Sequence, residues 1–455
     1  MALGERRSER QQELWVATAK LPASIGHVFY DALNRVLRDG EFDNFAESLC
    51  EPFYKEGGRP GIPPGVYFRM IFVGYFEGID SQRGIAWRCR DSLSLRKFLG
   101  YELHENTPEH SSLTRIRQRL PLEAFEQVFA FVLSLVEKHG LLKGKTVGVD
   151  STLLEANAAM KSIVRKDTGE DWEAFVRQLA EADGVEIKND DDLRKFDRKR
   201  KGKKVSNQDW QSSSDPDARI MKMKKGHTHL SYKQEHTVDL ETEAILSAEI
   251  YYGNESDGNT LLDSVNTAQG NLQQSDSEAV IKEVVGDKGY HKNETLAKSR
   301  ADELRTYICE PDGPNRRWTD KPADYKKAYC ANRRRLKTDR NKRLQKLRSE
   351  RVERSFAHVC ETGGARRTWL RGLENNRKKV RLTVAAHNLG LILRKLLGSG
   401  KPREFAGLRG LLFSVFSTVQ IATRRCHRLI SSASSFHRLY CHRKHHPIRT
   451  SICTP

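Results

Sequence analysis

The chain has 455 residues, of which 37% are hydrophobic and 31% charged, and its formal net charge is +19 at pH 7. This length predicts two or three domains, and the positive charge favours a polyanion as partner, with nucleic acid ahead of an anionic membrane. The most apolar stretches, such as Leu411 to Ala422, are too short to span a bilayer, and the segment MALGERRSERQQELW lacks the apolar core of a secretion signal. We therefore expect a cytoplasmic protein without a membrane partner. Its eight cysteines form no CxxC pair, which indicates reduced thiols.

Residues 1–145 predict a series of short helices. An apolar run opens after Pro63-Pro64 and ends at Gly78, and Ser81 can cap the next helix. After Thr107-Pro108, a helical segment places its arginines mostly opposite its apolar positions. Several short helices followed by a basic one are typical of a helix-turn-helix bundle, so the candidate DNA contacts, with a solvated face as the alternative, are Arg115 and Arg119.

The pattern changes to strand-like alternation at Thr146 to Asp150. Further strand patterns cover 232–240, 244–252 and 279–286, and a helical pattern covers 382–397. Between them, residues from about 160 to 230 are polar and highly charged, which predicts an insertion or flexible arm. The chain thus divides into a helical DNA-binding domain at 1–145, a catalytic domain at 146–400 and a basic, flexible tail at 401–455.

Three acidic residues stand where a divalent metal ion could be bound. Asp150 ends a strand pattern beside Gly148, Asp287 follows a second strand pattern and Gly286, and Glu353 borders the apolar stripe of a helix. Carboxylate oxygens suit Mg²⁺ or Mn²⁺, and a pair of such ions activates the attacking oxygen and stabilises the leaving one in phosphodiester chemistry. Taken singly, each acid is also compatible with a helix cap, a turn or a surface ion pair.

The segments around these acids resemble three motifs of bacterial insertion-sequence DDE transposases. They read VGVDSTLLEANAA (147–159), VVGDKGYHKNET (284–295) and VERSFAHVCETGGARRTWLRG (352–372). The resemblance is to the group with a DKGY-like second motif and an ERxF-like third motif. It extends to HTHLSYKQEHTVD, to ESDGNTLLDSV and to the N-terminal run that begins IPPGVYFRMIF, and it covers roughly residues 15–400.

The resemblance implies an α/β fold, namely an RNase H-like mixed five-stranded sheet flanked by helices, after an all-α helix-turn-helix-like N-terminal domain. It implies that Asp150, Asp287 and Glu353 are catalytic and bind two Mg²⁺ (or Mn²⁺) ions. The implied reaction is Mg²⁺-dependent cleavage and strand transfer of double-stranded DNA, at the terminal inverted repeats and at a target. The implied enzyme is a homo-oligomer, at least a dimer on paired ends.

Basic and aromatic residues near these motifs are further candidates for contacting DNA. Related transposases often have an Arg four residues before the Glu and a Lys seven after it, where this chain has Ser349 and Cys360. Another basic residue would then contact the phosphate beside the site. For Tyr290 and Trp318 packing inside the protein is the alternative to stacking on DNA. The candidates in this region are Lys288, Tyr290, Trp318, Arg348, Arg351 and Arg354.

Two other functions remain open from the sequence. The first is a plain nuclease on the same fold, which needs neither a helical domain nor a long basic insertion. The second is a non-catalytic relic of a transposase that binds DNA without cutting it. All three acids are present in this chain, which counts against a relic.

Overall fold

The structure is a computed structural model that describes residues 26–55, 57, 61–199, 206–222, 226–312 and 317–405. Met1–Gly400 form one compact unit and Lys401–Pro455 form a second. Of the second unit, only Lys401–Phe405 are described, so the basic tail predicted at 401–455 lies almost entirely outside the described residues.

Seven α-helices lie in the described residues between 26 and 145, with ends set by local sequence signals. Gly78 ends one helix in the left-handed conformation, at φ 69°, and the Ser81 hydroxyl caps the next by accepting a hydrogen bond of 3.0 Å from the Gly84 amide. Both predicted boundaries are confirmed. The helices are α1 (Val28–Asp39), α2 (Phe42–Cys50), α3 (Pro64–Glu77), α4 (Gln82–Asp91), α5 (Leu93–Leu99), α6 (His110–Arg119) and α7 (Leu122–Lys138).

The second half is built on a mixed β-sheet. The strands are β1 (Thr146–Glu155), β2 (Ile163–Arg165), β3 (Trp210–Ser212), β4 (Arg219–Lys222), β5 (Thr228–Asp239), β6 (Ile245–Tyr252), β7 (Glu283–Gly286) and β8 (Arg305–Ile308). Five of them lie side by side in the order β6-β5-β1-β7-β8. β5 is antiparallel to β1 and β6, whereas β1, β7 and β8 are parallel. β4 extends the edge of β5, and β2 pairs with β3 in a separate small sheet.

Helices cover both faces of this sheet. They are α10 (Asp257–Gln274), α11 (Asn293–Ala301), α12 (Ala323–Leu336), α13 (Asp339–Thr362) and α14 (Leu373–Leu397). Successive side chains of β5 point to opposite faces, so Glu235 bonds to Ser264 on α10 while His236 bonds to Ser355 on α13. A mixed sheet of five main strands in this order, covered by helices, confirms the RNase H-like fold expected from the sequence.

Helix α14 connects the helical half to the sheet. It packs against α1, α3 and α7 and against β6. The boundary predicted at 145/146 is therefore a change of secondary structure inside one compact unit. Within the described part of the chain, no helix, α14 included, is both long and apolar enough to cross a membrane.

The charged segment predicted as an arm is largely folded. It contains α8 (Trp172–Ala182) and α9 (Asp190–Lys199) as well as β2, β3 and β4. Val176, Leu193 and Trp210 are buried, which gives this segment a small apolar core despite its composition. Residues 200–205 and 223–225 lie outside the described ranges.

Candidate active site

Asp150 lies in the middle of β1, not at its end as the sequence pattern predicted. β5 pairs along β1 as far as Glu155, whereas the pairing with β7 stops at Gly148. At Asp150, β1 is therefore paired with β5 on one side and no longer with β7 on the other. This places the carboxylate beside the carboxyl end of β7, the edge where ligands bind in open α/β sheets.

The carboxylate of Asp150 is bonded to a cation. Arg348 Nη1 donates a hydrogen bond of 2.9 Å to Asp150 Oδ2, and the Ser151 amide donates one of 2.8 Å to Oδ1. Burial raises the pKa of Asp150, Arg348 and the Ser151 amide oppose this rise, and the negative charge of Asp287 adds to it. The negative charge of Asp287 thus acts on Asp150, and that the two acids share metal ions stays a prediction.

Asp287 follows β7 and caps a short 3₁₀ turn. Its Oδ1 accepts a hydrogen bond of 2.8 Å from the Gly289 amide. A Cβ atom on Gly289 would lie 2.6 Å from Asp257 Oδ2 and 3.1 Å from Asp287 Oδ1. Gly289 therefore lies between two carboxylates, and its missing side chain allows Asp257 to approach Asp287.

Asp257 is a residue of the site that the analysis of motifs did not select. It begins α10, and its Oδ1 accepts a hydrogen bond of 2.9 Å from Ser151 Oγ and lies 2.7 Å from Lys233 Nζ. Lys233 is 3% exposed and also lies 3.1 Å from Oε2 of the fully buried Glu235. The available signal was the segment ESDGNTLLDSV, which contains Asp257 and belongs to the resemblance.

In this structure Glu353 does not lie with these carboxylates, so the triad of acids stays a prediction. It is exposed on α13, where its Oε1 accepts a hydrogen bond of 2.9 Å from Ser349. Five residues separate it from Arg348, about 140° around a helix with 3.6 residues per turn, so it points away from the face that packs on β1. Among the described residues, no three His, Cys, Asp or Glu side chains converge as a group able to hold a metal ion.

Helix α13 is held on the sheet by close packing at two places. A Cβ atom on Gly148 would lie 2.9 Å from Val352 Cγ2 and 3.1 Å from Arg348 Cγ, so only glycine lets α13 approach β1 this closely. One turn further, Phe356 stacks on the buried His236 ring with centroids 4.0 Å apart. Burial lowers the pKa of His236 to about 3, so the ring is neutral in the stack. These contacts fix the position of Arg348.

The structure also places the remaining candidate residues of this region. Tyr290 is fully buried, and its hydroxyl donates a hydrogen bond of 2.9 Å to Glu235, which favours packing inside the protein over stacking on DNA. The Trp318 ring packs against Tyr329 at 5.1 Å, again the packing alternative. Lys288 is exposed and lies 3.9 Å from Asp312.

Arg351 and Arg354 take part in ion pairs on the surface of the protein. Both guanidinium groups lie against the carboxylate of Glu243, and Arg354 also pairs with Glu350 at 2.7 Å. Arg351 Nη1 further donates a hydrogen bond of 2.9 Å to the Glu241 carbonyl. In this structure their charges are therefore partly compensated, and DNA contact by either residue remains a prediction.

A basic groove crosses the N-terminal helices. It has a volume of about 1050 Å³ and lies between α4 and α6, which pack against each other. Arg83, Trp87 and Arg90 share the exposed face of α4, and the predicted Arg115 and Arg119 share that of α6. Trp87 is 64% exposed, unusual for a side chain of that size outside an interface. We name this feature the α4–α6 groove.

Two family models match the chain. One, described as a transposase domain (DUF772), matches residues 19–119, which include the α4–α6 groove. The other, described as a transposase DDE domain, matches residues 305–393, which include Arg348, Glu353 and most of α14. The chain thus carries a transposase domain and a DDE transposase domain, which confirms the DDE transposase expected from its motifs. The finer group with DKGY-like and ERxF-like motifs remains a prediction.

Other comparisons add little to this assignment. No curated protein is significantly similar in sequence to the transposase. One solved structure, a Mos1 transposase paired-end complex with left transposon end, aligns with 69% of this chain and 83% of its own at 9% identity and a TM-score of 0.18. That score is too low for a conclusion about this chain. DDE transposases generally use divalent metal ions.

Proposed function

We propose that this transposase cuts and rejoins double-stranded DNA at the terminal inverted repeats of its element, with Asp150 and Asp287 at the reaction centre. The observation that supports this is the position of the two acids at one edge of the sheet, because Asp287 follows β7 and Asp150 lies on β1 just beyond its pairing with β7. The negative charge of Asp287 accordingly adds to the rise of the Asp150 pKa. Acids that repel each other at a sheet edge are costly unless a cation lies between them. Both supply the oxygen ligands that Mg²⁺ and Mn²⁺ prefer, so the pair fits such an ion.

The surrounding residues would each have a separate task. A divalent ion, when bound, activates the attacking oxygen and stabilises the leaving oxygen of a phosphodiester. Arg348 holds the Asp150 carboxylate in position from the α13 face. On the other face Ser151 and Lys233 hold Asp257, and Lys233 compensates the charge of buried Glu235. Exposed Lys288, next to Asp287, is placed to attract the DNA phosphate.

We propose Glu353 as the third acid of the site, with Asp257 as the alternative for the same role. Glu353 lies within the matched DDE domain, but in this structure it is exposed, turned away from the Asp150–Asp287 pair and bonded to Ser349. Asp257 already lies beside Asp287, across Gly289. The two assignments lead to opposite results for substitution of each residue.

We further propose that the α4–α6 groove binds the DNA end. Its four exposed arginines, Arg83, Arg90, Arg115 and Arg119, outnumber the two acids that line it, Glu105 and Glu109. A groove with this balance attracts phosphates and gives salt-dependent binding. The enzyme would act as a homo-oligomer, at least a dimer, with two ends bound together.

The test uses the full-length chain and a labelled duplex that carries the DNA flanking its coding sequence. Asp150→Asn, Asp287→Asn and Glu353→Gln should each abolish Mg²⁺-dependent nicking while specific binding of the duplex persists. Glu350→Gln on the same exposed part of α13 is the matched control and should retain activity. If Glu353→Gln still nicks and Asp257→Asn does not, Asp257 is the third acid.

Product analysis separates transposition from the two rival functions. Joined DNA products in the presence of a target plasmid support strand transfer, whereas hydrolysed ends alone support a plain nuclease. Binding of the ends without any nicking by the unsubstituted protein supports a relic. The mass of the protein–DNA complex in solution, measured by light scattering, tests the proposed oligomer.

A further inference from the structure

A second cavity adjoins the α4–α6 groove. It has a volume of about 370 Å³ and shares Arg83 and His110 with the groove. Its walls come from α3, α7, α14 and the loop between α13 and α14, and they are mainly apolar. The apolar lining includes Tyr67, Ile71, Tyr75, Phe125, Leu370 and Leu382. A cavity of this size is at the small end of the range of about 300–1,000 Å³ that holds small ligands.

The cavity also collects positive charge that the protein compensates only in part. Arg83, Arg117, Lys378 and Lys379 line it, and Asp80 is the one acid among its lining residues. Lys378 is paired with Glu374 at 2.6 Å, outside the lining. Arg117 Nε is buried and has no hydrogen-bond partner. Burial lowers the pKa of Lys379, opposed by Asp80, and burial likewise lowers the pKa of Arg117. An anionic group in this cavity would supply the missing partner.

An aromatic side chain marks the rim of the cavity. Trp369 is 55% exposed, and the Arg367 guanidinium lies 5.0 Å from the centroid of its ring. The Asn157 side chain donates a hydrogen bond of 3.0 Å to the Trp369 carbonyl, which ties this loop to the segment that follows β1. Aromatic walls with nearby cations are the combination that binds an unpaired base and its phosphate.

We propose that this cavity accepts one extrahelical nucleotide of the bound DNA, with its base among the aromatic side chains and its phosphate near Arg117 and Lys379. The proposal rests on DNA binding in the α4–α6 groove, since the shared Arg83 and His110 connect the two. A paired base is too large for the cavity together with its partner, so the nucleotide must leave the helix to enter. We name this feature the nucleotide cavity.

The experiment compares two duplexes of one sequence, a perfect duplex and the same duplex with one unpaired extra nucleotide. Binding is measured by fluorescence anisotropy with the full-length protein at fixed salt and in EDTA. Because the extra nucleotide already lies outside the helix and need not be unpaired, the bulged duplex should bind about tenfold more tightly. A third duplex carries an abasic bulge, which bends DNA but offers no base, and it should lose this preference.

Three variants complete the test. Leu370→Trp narrows the nucleotide cavity and Lys379→Met removes a charge from it, and both should reduce the preference to below about twofold while perfect-duplex affinity persists. Lys138→Met is the matched control on α7, exposed and outside both cavities, and should keep the preference. A wild-type protein without preference, an abasic bulge that binds equally well, or variants that keep the preference would each overturn the proposal. None of these results depends on metal or cleavage, so a failure of the catalytic assignment is seen separately.

Discussion

Arg348 on α13 and Asp150 on β1 are joined by a hydrogen bond of 2.9 Å between Nη1 and Oδ2, across 198 positions of the chain. The Arg348 side chain is 12% exposed, and Gly148 leaves the space that brings its stem onto β1. A fixed positive charge therefore lies against one of the two carboxylates that we propose as metal ligands.

We expect Arg348→Met to strengthen binding of Mn²⁺ by the DNA-free protein. The guanidinium repels a cation at Asp150, and removing about 1 kcal/mol of that repulsion corresponds to an affinity gain of about fivefold. Titration followed by electron paramagnetic resonance measures this affinity. Arg343→Met, an exposed arginine on the same helix, should leave it unchanged. Weaker Mn²⁺ binding by Arg348→Met would show that Arg348 organises the ligands and does not compete with the ion.

Gly148→Ala should separate α13 from β1. Its Cβ would lie 2.7 Å from Leu240 Cδ2 and 2.9 Å from Val352 Cγ2, so the free energy of unfolding should fall by about 1–3 kcal/mol. Urea denaturation measures this change, and nicking should fall with it. The control is Gly270→Ala in α10, where no atom lies within 4 Å of the new Cβ and stability should rise by about 0.5–1 kcal/mol. Equal effects of the two substitutions would contradict the close packing at Gly148.

Lys233→Met should cost about 3–5 kcal/mol of unfolding free energy, because it leaves the buried carboxylate of Glu235 without its cation. The double variant Lys233→Met with Glu235→Gln removes both charges and should recover much of this loss. Denaturant titrations of the two single variants and the double variant give the coupling energy. A single variant that loses less than about 1 kcal/mol would mean that Lys233 does not stabilise the buried network.

Substitution of Arg115 or Arg119 by Gln should weaken DNA binding by the same factor for every sequence tested. Each substitution removes one phosphate contact and should reduce the slope of log affinity against log salt by about one. Arg35→Gln, an exposed arginine on α1 outside the α4–α6 groove, should not change the slope. An unchanged slope for both groove variants would place the DNA elsewhere.

The contribution of Glu283 to stability should depend on pH. Burial raises its pKa, but hydrogen bonds from Arg340 and Thr146 outweigh this, and the net pKa lies below 4.5. A folded-state pKa that is lowered gives stability at pH values above the unfolded pKa and loses it as the pH falls through the folded one. The difference in melting temperature between the wild type and Glu283→Gln should therefore shrink from about pH 6 to about pH 3. A constant difference would contradict this linkage.

Much of the fold could be predicted because its signals are local. Gly78 and Ser81 end and begin helices through their own backbone and hydroxyl, whatever packs around them. The alternation at Thr146 to Asp150 predicted the strand that carries Asp150 for the same reason. The long charged segment was harder, because a small core around Trp210 outweighs its polar composition.

The features that the sequence did not indicate depend on contacts between distant residues. The face of α13 that meets the sheet is decided by Val352 and Arg348 over Gly148, and this turns Glu353 outward. Asp257 begins a helix, where acidic residues commonly cap the first turn or interact with the helix dipole, so apart from the segment ESDGNTLLDSV its position gave no reason to select it. Its role is visible only with Lys233 and Ser151 folded beside it.

Strand β1 fixes the distance between Asp150 and the rim of the nucleotide cavity. Asp150 lies on it five residues before Glu155, whose carbonyl accepts a hydrogen bond from the Thr368 amide, next to Trp369 at the rim of the nucleotide cavity. At about 3.3 Å per residue these points are about 17 Å apart along the strand. One DNA strand rises about 3.4 Å per nucleotide, so the same interval corresponds to about five nucleotides. The length of β1 would therefore set the number of nucleotides between the extrahelical base and the cut phosphate.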